Sequence, residues 1–231
     1  MGVHLKTLAR VLCVAVTAAA LSACFDLTQK LSIDRGGSGH YEMAITADGL
    51  LGEALKDKKD SAIDLKNNKV RTHLAEHDGK VTQFATMDFK SLSDLKLSDE
   101  SLSLSNHGAG WFGLGPSHLT FTRTFLVDRA RKQNAPSRSN NDDDRFGTEL
   151  AQTMFGDHTY LFSVSVPGSV DRANAIRVGR TTIAPQIKPS GLSTTVTWRM
   201  PLYTMIQAKM LRFEVDFSAY GWFPDAQSLP E

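Results

Sequence analysis

Alternation of apolar and polar residues is the dominant pattern along this chain. Phe25, Leu27, Leu31 and Ile33 alternate with Asp26, Thr28, Lys30 and Ser32. A period of two marks a half-buried strand. The Gly-rich turn "RGGSG" at 35–39 follows, and then Tyr41, Met43 and Ile45 alternate again, which predicts a β-hairpin. Asp48 is placed to cap a short helix over "GLLGEALKDKKD", with Leu51, Ala54 and Leu55 on one face. "VRTHLAEHDGKVTQFATMDF" sets Asp78-Gly79 between two strand-like runs, a second hairpin signal. Residues 91–106 are polar and serine-rich with intermittent leucines. Leu119, Phe121, Phe125 and Val127 suggest a strand, as do Tyr160, Phe162, Val164 and Val166, which stop at Pro167-Gly168.

Later in the chain, Val196 and Trp198 share one face of a strand. "PLYTMIQ" predicts one or two helical turns with Pro201 in the first, and Leu211, Phe213, Val215 and Phe217 form a last strand. Residues 129–145 carry no large apolar side chain and read as a solvated loop. Phe146, Leu150 and Met154 then recur at helical spacing. The expectation is an α+β domain, an antiparallel sheet with two or three short helices.

The first residues change the picture. His4, Lys6 and Arg10 precede an apolar run from Val11 that ends in "LSAC", Leu21 to Cys24. A basic start, an apolar core too short to span a bilayer and small residues before a cysteine read as an export signal. The segment resembles the lipobox of bacterial lipoproteins. That resemblance implies cleavage between Ala23 and Cys24, removal of residues 1–23, and lipid on the Cys24 thiol. Two or three acyl chains hold a protein at a membrane without a transmembrane helix. Phe25, not Asp, follows the cysteine, which in a diderm host resembles sorting to the outer membrane, facing the periplasm. Residues 24–231 are read as one domain.

Composition narrows the classes. The chain has 26 Lys and Arg against 25 Asp and Glu, and the signal removes Lys6 and Arg10. A near-neutral chain gives no sign of nucleic-acid binding. Cys13 leaves with the signal, so Cys24 is the one cysteine of the mature chain and no internal disulfide forms. Stability rests on a core that 41% apolar residues can supply.

Two stretches together carry a wider resemblance. "CFDLTQKLSIDRGGSGHYEMAI" joins the lipobox cysteine to two strands through a Gly-rich turn. "YLFSVSVPGSVDRANA", followed by "VTWRMPL", joins a strand ending at Pro167-Gly168 to one carrying Trp198. They resemble the LppM-domain group of bacterial lipoproteins, a domain of unknown function. The resemblance implies an envelope lipoprotein with an α+β domain, and transfers no catalytic residue.

Candidate chemistry is sparse. "HLAEH" at 73–77 matches H-x-x-E-H, which needs a helix to bring both histidines to one zinc. Val70, Thr72 and the Asp78-Gly79 turn favour a strand instead. His73 and His77 then sit about 13 Å apart at about 3.3 Å per residue, too far to share a metal. Asp142, Asp143 and Asp144 lack the spacing of a calcium loop and read as a solvated helix start. No metal or cofactor is therefore expected. Trp111 and Phe112 in "GWFGLGPS", with Trp222 in the aromatic tail, are candidates for contact with a membrane or ligand. The functional expectation is a membrane-anchored, non-catalytic binding or scaffolding domain, with a lipid, another apolar ligand or an envelope protein as partner. The alternative is an envelope hydrolase with an unrecognised site.

Overall fold

The computed structural model describes residues 25–57, 70–95, 97, 100–109, 115–127, 155, 157–221, 223 and 227–228. The first hairpin forms where the alternation places it. Strand β1 (Phe25–Ile33) and strand β2 (Gly39–Asp48) pair antiparallel, Phe25 opposite Ala47 and Ile33 opposite Gly39. Helix α1 (Gly49–Asp57) follows at once. It seats Gly52 and Leu55 rather than the expected apolar trio, since Leu51 and Ala54 are exposed. A Cβ on Gly52 would stand 3.1 Å from the Ala47 carbonyl oxygen and 3.4 Å from Val81 Cγ2. The helix approaches the sheet closely there, and a side chain at this position would press on the Ala47 carbonyl.

Strand β3 (Arg71–His77) and strand β4 (Lys80–Phe89) form the second hairpin, with His77 opposite Lys80. Asp78 and Gly79 have φ of 50° and 73°. Two positive φ values make the two-residue turn whose twist matches that of the strands, hence Asp-Gly. A 3₁₀ turn, Leu92–Asp94, is closed by a capping box between Ser91 and Asp94. The remaining elements are strand β5 (Glu100–Ala109), β6 (Ser117–Leu126), β7 (Thr159–Pro167), β8 (Ser169–Ala173), β9 (Ile176–Val178), β10 (Thr181–Ile183), β11 (Gln186–Ser190), β12 (Ser193–Pro201), helix α2 (Leu202–Gln207), β13 (Met210–Ala219) and β14 (Gln227–Ser228).

Seven strands form one sheet in the order β11-β12-β7-β1-β2-β4-β3, and five form another, β14-β5-β6-β13-β8. The sheets face each other across one core. Phe162 and Trp198 of the first meet Phe213 of the second at ring-centroid distances of 4.7 and 5.2 Å, both edge to face. Leu31, Val164, Val196, Leu119, Phe121, Val215 and Phe217 complete the interior. Such rings and aliphatics supply the main stabilising term, about 25 cal/mol per Å² of apolar surface removed from water.

The chain is thus mainly β, and the α+β expectation is corrected. The described helices are short and cap the ends of strands; they form no layer of their own. Alternation also extends into segments whose apolar positions are few. In "ESLSLSNHGA" serines occupy one face of β5 and leucines the other, so a stretch read as polar is a full strand. The sheets are mixed, not purely antiparallel: β7 lies parallel to β1, and β14 parallel to β5. The helix expected at Phe146–Met154 and the loop 129–145 lie outside the described residues.

The Pro167-Gly168 stop has a steric basis. Gly168 has φ +81°, and a Cβ there would fall 2.1 Å from the Ser218 carbonyl oxygen. The backbone leaves the first sheet and enters the second at this point. Gly168→Ala is expected to destabilise the protein by about 3 kcal/mol or more, combining left-handed strain with a backbone clash. Chemical denaturation of wild type and variant measures it, and a loss within experimental error would contradict the steric account.

Candidate functional site

Ala23, Cys24, Trp111, Phe112 and Trp222 lie outside the described residues. The described residues define two poles of the domain. Phe25 starts β1, where its backbone N–H donates to His158 Nδ1 at 3.0 Å and Asp26 Oδ1 accepts from the Thr159 N–H at 2.7 Å. Phe25, the first described residue, is therefore fastened to the start of β7. Pro116, Gly168, Leu192, Tyr220 and Arg35 gather at the opposite pole around an open groove of about 440 Å³. The nine residues of β1 separate the poles by roughly 25–30 Å. The groove carries exposed apolar side chains, with Leu192 74% and Tyr220 66% exposed. Pro116 and Gly221 sit at this pole, beside Arg35.

"HLAEH" is edge strand β3, exposed along its length. His73 stacks on Phe84 at 4.6 Å, and His77 Nε2 lies 3.1 Å from Asp78. Among the described residues no cluster of three His, Cys, Asp or Glu is arranged to hold a metal.

A serine, a histidine and an aspartate do meet on the outer face of the five-stranded sheet. Ser218 Oγ donates to Asp171 Oδ2 at 2.8 Å and lies 3.0 Å from His118 Nδ1. In a nucleophile triad the imidazole links hydroxyl to carboxylate. Here the hydroxyl is the link, and its proton is already committed to the carboxylate. This arrangement does not activate Ser218.

The strongest electrostatic feature is one the sequence reading missed. Arg123 is 1% exposed between the sheets. Its Nε and Nη2 each donate to Glu100 at 2.8 Å, a bidentate pair, and Nη2 also donates to Gln29 Oε1. Tyr160 donates to the same Gln29 oxygen at 2.8 Å. The guanidinium carbon stands 4.2 Å from the centroid of the Phe162 ring. Arg123 Nη1 and the Tyr41 hydroxyl find no partner among the described residues. Burial raises the pKa of Tyr41 and pushes that of Tyr160 up to about 12, with Glu100 adding to both and Arg123 opposing. Burial works against the charge on Arg123, but Tyr160 and Glu100 outweigh it, so the guanidinium stays charged.

Perturbed groups of this kind mark functional sites when they line a cleft. None of these six residues lines a described groove. The cluster is a tie between sheets. The signal for it lay in register: Arg123 interrupts the inward row Leu119, Phe121, Phe125, and Gln29 interrupts Leu27, Leu31, Ile33.

The fold and its grooves define a two-sheet, mainly β domain with open surface sites and a sealed polar tie. No family model matches the chain, and no curated protein matches it. Among solved structures it is similar to the folded domain of LppM from Mycobacterium tuberculosis, determined by NMR, with a TM-score of 0.45 and 13% identity. The match covers 88% of this chain and 94% of that one. This is the kind of domain that the two sequence stretches resemble.

Two outcomes test the tie. Arg123→Met leaves Glu100 buried without its partner and is expected to cost about 3–5 kcal/mol, much of it recovered when Glu100→Gln is added. A double variant as unstable as the single one would contradict the pairing. Alkaline pH supplies the second test. The folded protein favours neutral Tyr160, whose pKa is about 12 against 10.0 in the unfolded chain. A raised pKa contributes stability that is full below pH 10 and lost as pH rises through 12. Tyr160→Phe is expected to flatten that loss, read as denaturation midpoint against pH; an unchanged slope would remove Tyr160 from the cause.

Proposed function

We propose that this chain is a cell-envelope lipoprotein whose domain is a non-catalytic binding module held at a membrane through Cys24. In this reading residues 1–23 are cut away and diacylglycerol is joined to the Cys24 thiol. The observation that carries it is the position of Phe25. Strand β1 opens there, one residue after the lipobox cysteine, and its first N–H is already bonded to His158. An anchor at Cys24 therefore sets the domain directly on the bilayer with no tether.

The same geometry directs the exposed apolar groove away from that bilayer. Its open form and the ring-filled interior favour binding at the surface over carriage of a lipid within the sandwich. An envelope protein is the partner class this placement fits, with an apolar ligand as the second candidate. The residue after the cysteine, Phe25, supports the outer membrane in a diderm host, facing the periplasm.

Cys24→Ser is expected to abolish lipidation and leave the signal uncleaved, which shifts the protein's intact mass by the signal and the lipid together. A wild-type protein with an unmodified cysteine, or with an amino terminus elsewhere, would overturn the anchor.

A further inference from the structure

The outer face of the five-stranded sheet holds a groove of about 530 Å³, distinct from the apolar groove at the far pole. We propose that it is a binding site for a neutral oligosaccharide. Outer faces of twisted sheets are normally shallow, and two bulges make this one concave. In β5, His107 and Gly108 together oppose His118, because pairing jumps from Asn106–Leu119 to Ala109–Ser117. In β8, Asp171 is the extra residue between Arg172, opposite Asp216, and Val170, opposite Phe217. Bulges re-aim side chains and recur beside functional sites. Here the residues that they displace, His107 and Asp171, are the two rims of the groove.

Two parallel relays order residues in and beside the groove, with Thr120 in its lining and Ser218 next to it. Thr120 Oγ1 donates to Asp216 Oδ1 at 2.8 Å, so it accepts from His107 Nε2, also at 2.8 Å. Ser218 Oγ donates to Asp171, so it accepts from His118 Nδ1. Each hydroxyl is thus fixed in direction. Across the groove, Arg172 donates to Asp216 at 2.9 Å and to Glu214 at 3.3 Å, and Arg212 donates to Glu214 at 2.6 Å.

Charge chooses the ligand. Every guanidinium already faces a carboxylate, so a phosphate placed on Arg172 or Arg212 would meet Glu214 and Asp216. A cation would meet the guanidiniums in turn. The unspent capacity is a mixture: remaining guanidinium N–H donors beside remaining carboxylate lone pairs. A sugar hydroxyl uses both at once, donating to a carboxylate while accepting from a guanidinium. A peptide strand instead seeks a sheet edge for its backbone, and this groove lies across the face of the sheet. The reading does not depend on the anchor or on the apolar pole.

The test uses the full chain in a sugar-free detergent, titrated with maltohexaose, chitohexaose, an anionic hyaluronan oligomer and a Gly-Ser peptide. Imidazole NMR signals report directly. His107 and His118 are expected to shift with at least one neutral oligosaccharide, while His40 and His73 on the other sheet stay fixed. Asp216→Asn and Arg172→Gln are each expected to weaken that binding by about tenfold or more, as loss of a hydrogen bond to a charged group does. Lys30→Gln on the other sheet is expected to leave it unchanged. No shift at millimolar oligosaccharide, tighter binding of hyaluronan or of the peptide, or affinity unaffected by both variants would overturn the proposal. Should a variant fail to fold, the wild-type shifts and the ligand preference still decide.

Discussion

A guanidinium held between two sheets sets the terms for the rest of this molecule. Arg123 enters the core from β6 and cannot lose its proton, so the core must be built to accept a charge. Glu100 from β5 supplies the countercharge through both oxygens, and Gln29 of β1 takes a further N–H. Phe162 of β7 offers its ring face. Four strands from two sheets must therefore arrive at one height and one register. A purely apolar interior would tolerate a slide of one sheet over the other at modest cost. A buried charge would not, because any slip strands Glu100 or Arg123 at a cost of several kcal/mol. The rings around it then pack in a single way: Phe162, Trp198 and Phe213 meet at fixed angles.

That fixed register also holds the outer surfaces. Phe213 and Arg123 face inward from the same strands, β13 and β6, whose alternate residues Glu214, Asp216 and Thr120 face outward. Inner and outer rows are the two faces of one pleat, so a shift in register that disturbed the tie would also misplace the relays on the surface. The link between core and surface here is geometric, with no moving part.

Much of the fold was legible because alternation is a local signal. The two hairpins, the strand that stops at Pro167-Gly168 and the strand through Leu211 to Phe217 appear where apolar residues repeat at two. Asp78-Gly79 fixed its turn through backbone conformation alone. What escaped was of two kinds. Serine-rich β5 has too few apolar residues for its period to stand out, and the short strands β8 to β11 have almost none buried. The sites were less legible still, since each is assembled across strands. Glu100 and Arg123 are 23 positions apart, and Arg123 and Gln29 are 94 apart. Only the polar intruder in an apolar row hinted at them. The bulges at His107 and Asp171 had no sequence sign beyond Gly108, whose φ of 97° the first of them uses.

Placement along the long axis joins these parts. β1 carries Phe25 at one end, Gln29 at its middle and the turn bearing Arg35 at the other. The same strand would thus connect a membrane anchor, the interlock of the sheets and the apolar far pole. An anchored domain with a flexible tether samples many orientations, and its surfaces gain little from their position. With the Phe25 N–H bonded to His158, an anchor at Cys24 would leave little of that freedom. On such an anchor the orientation of the sandwich would follow from the direction of β1, and so would the height at which each surface groove is presented.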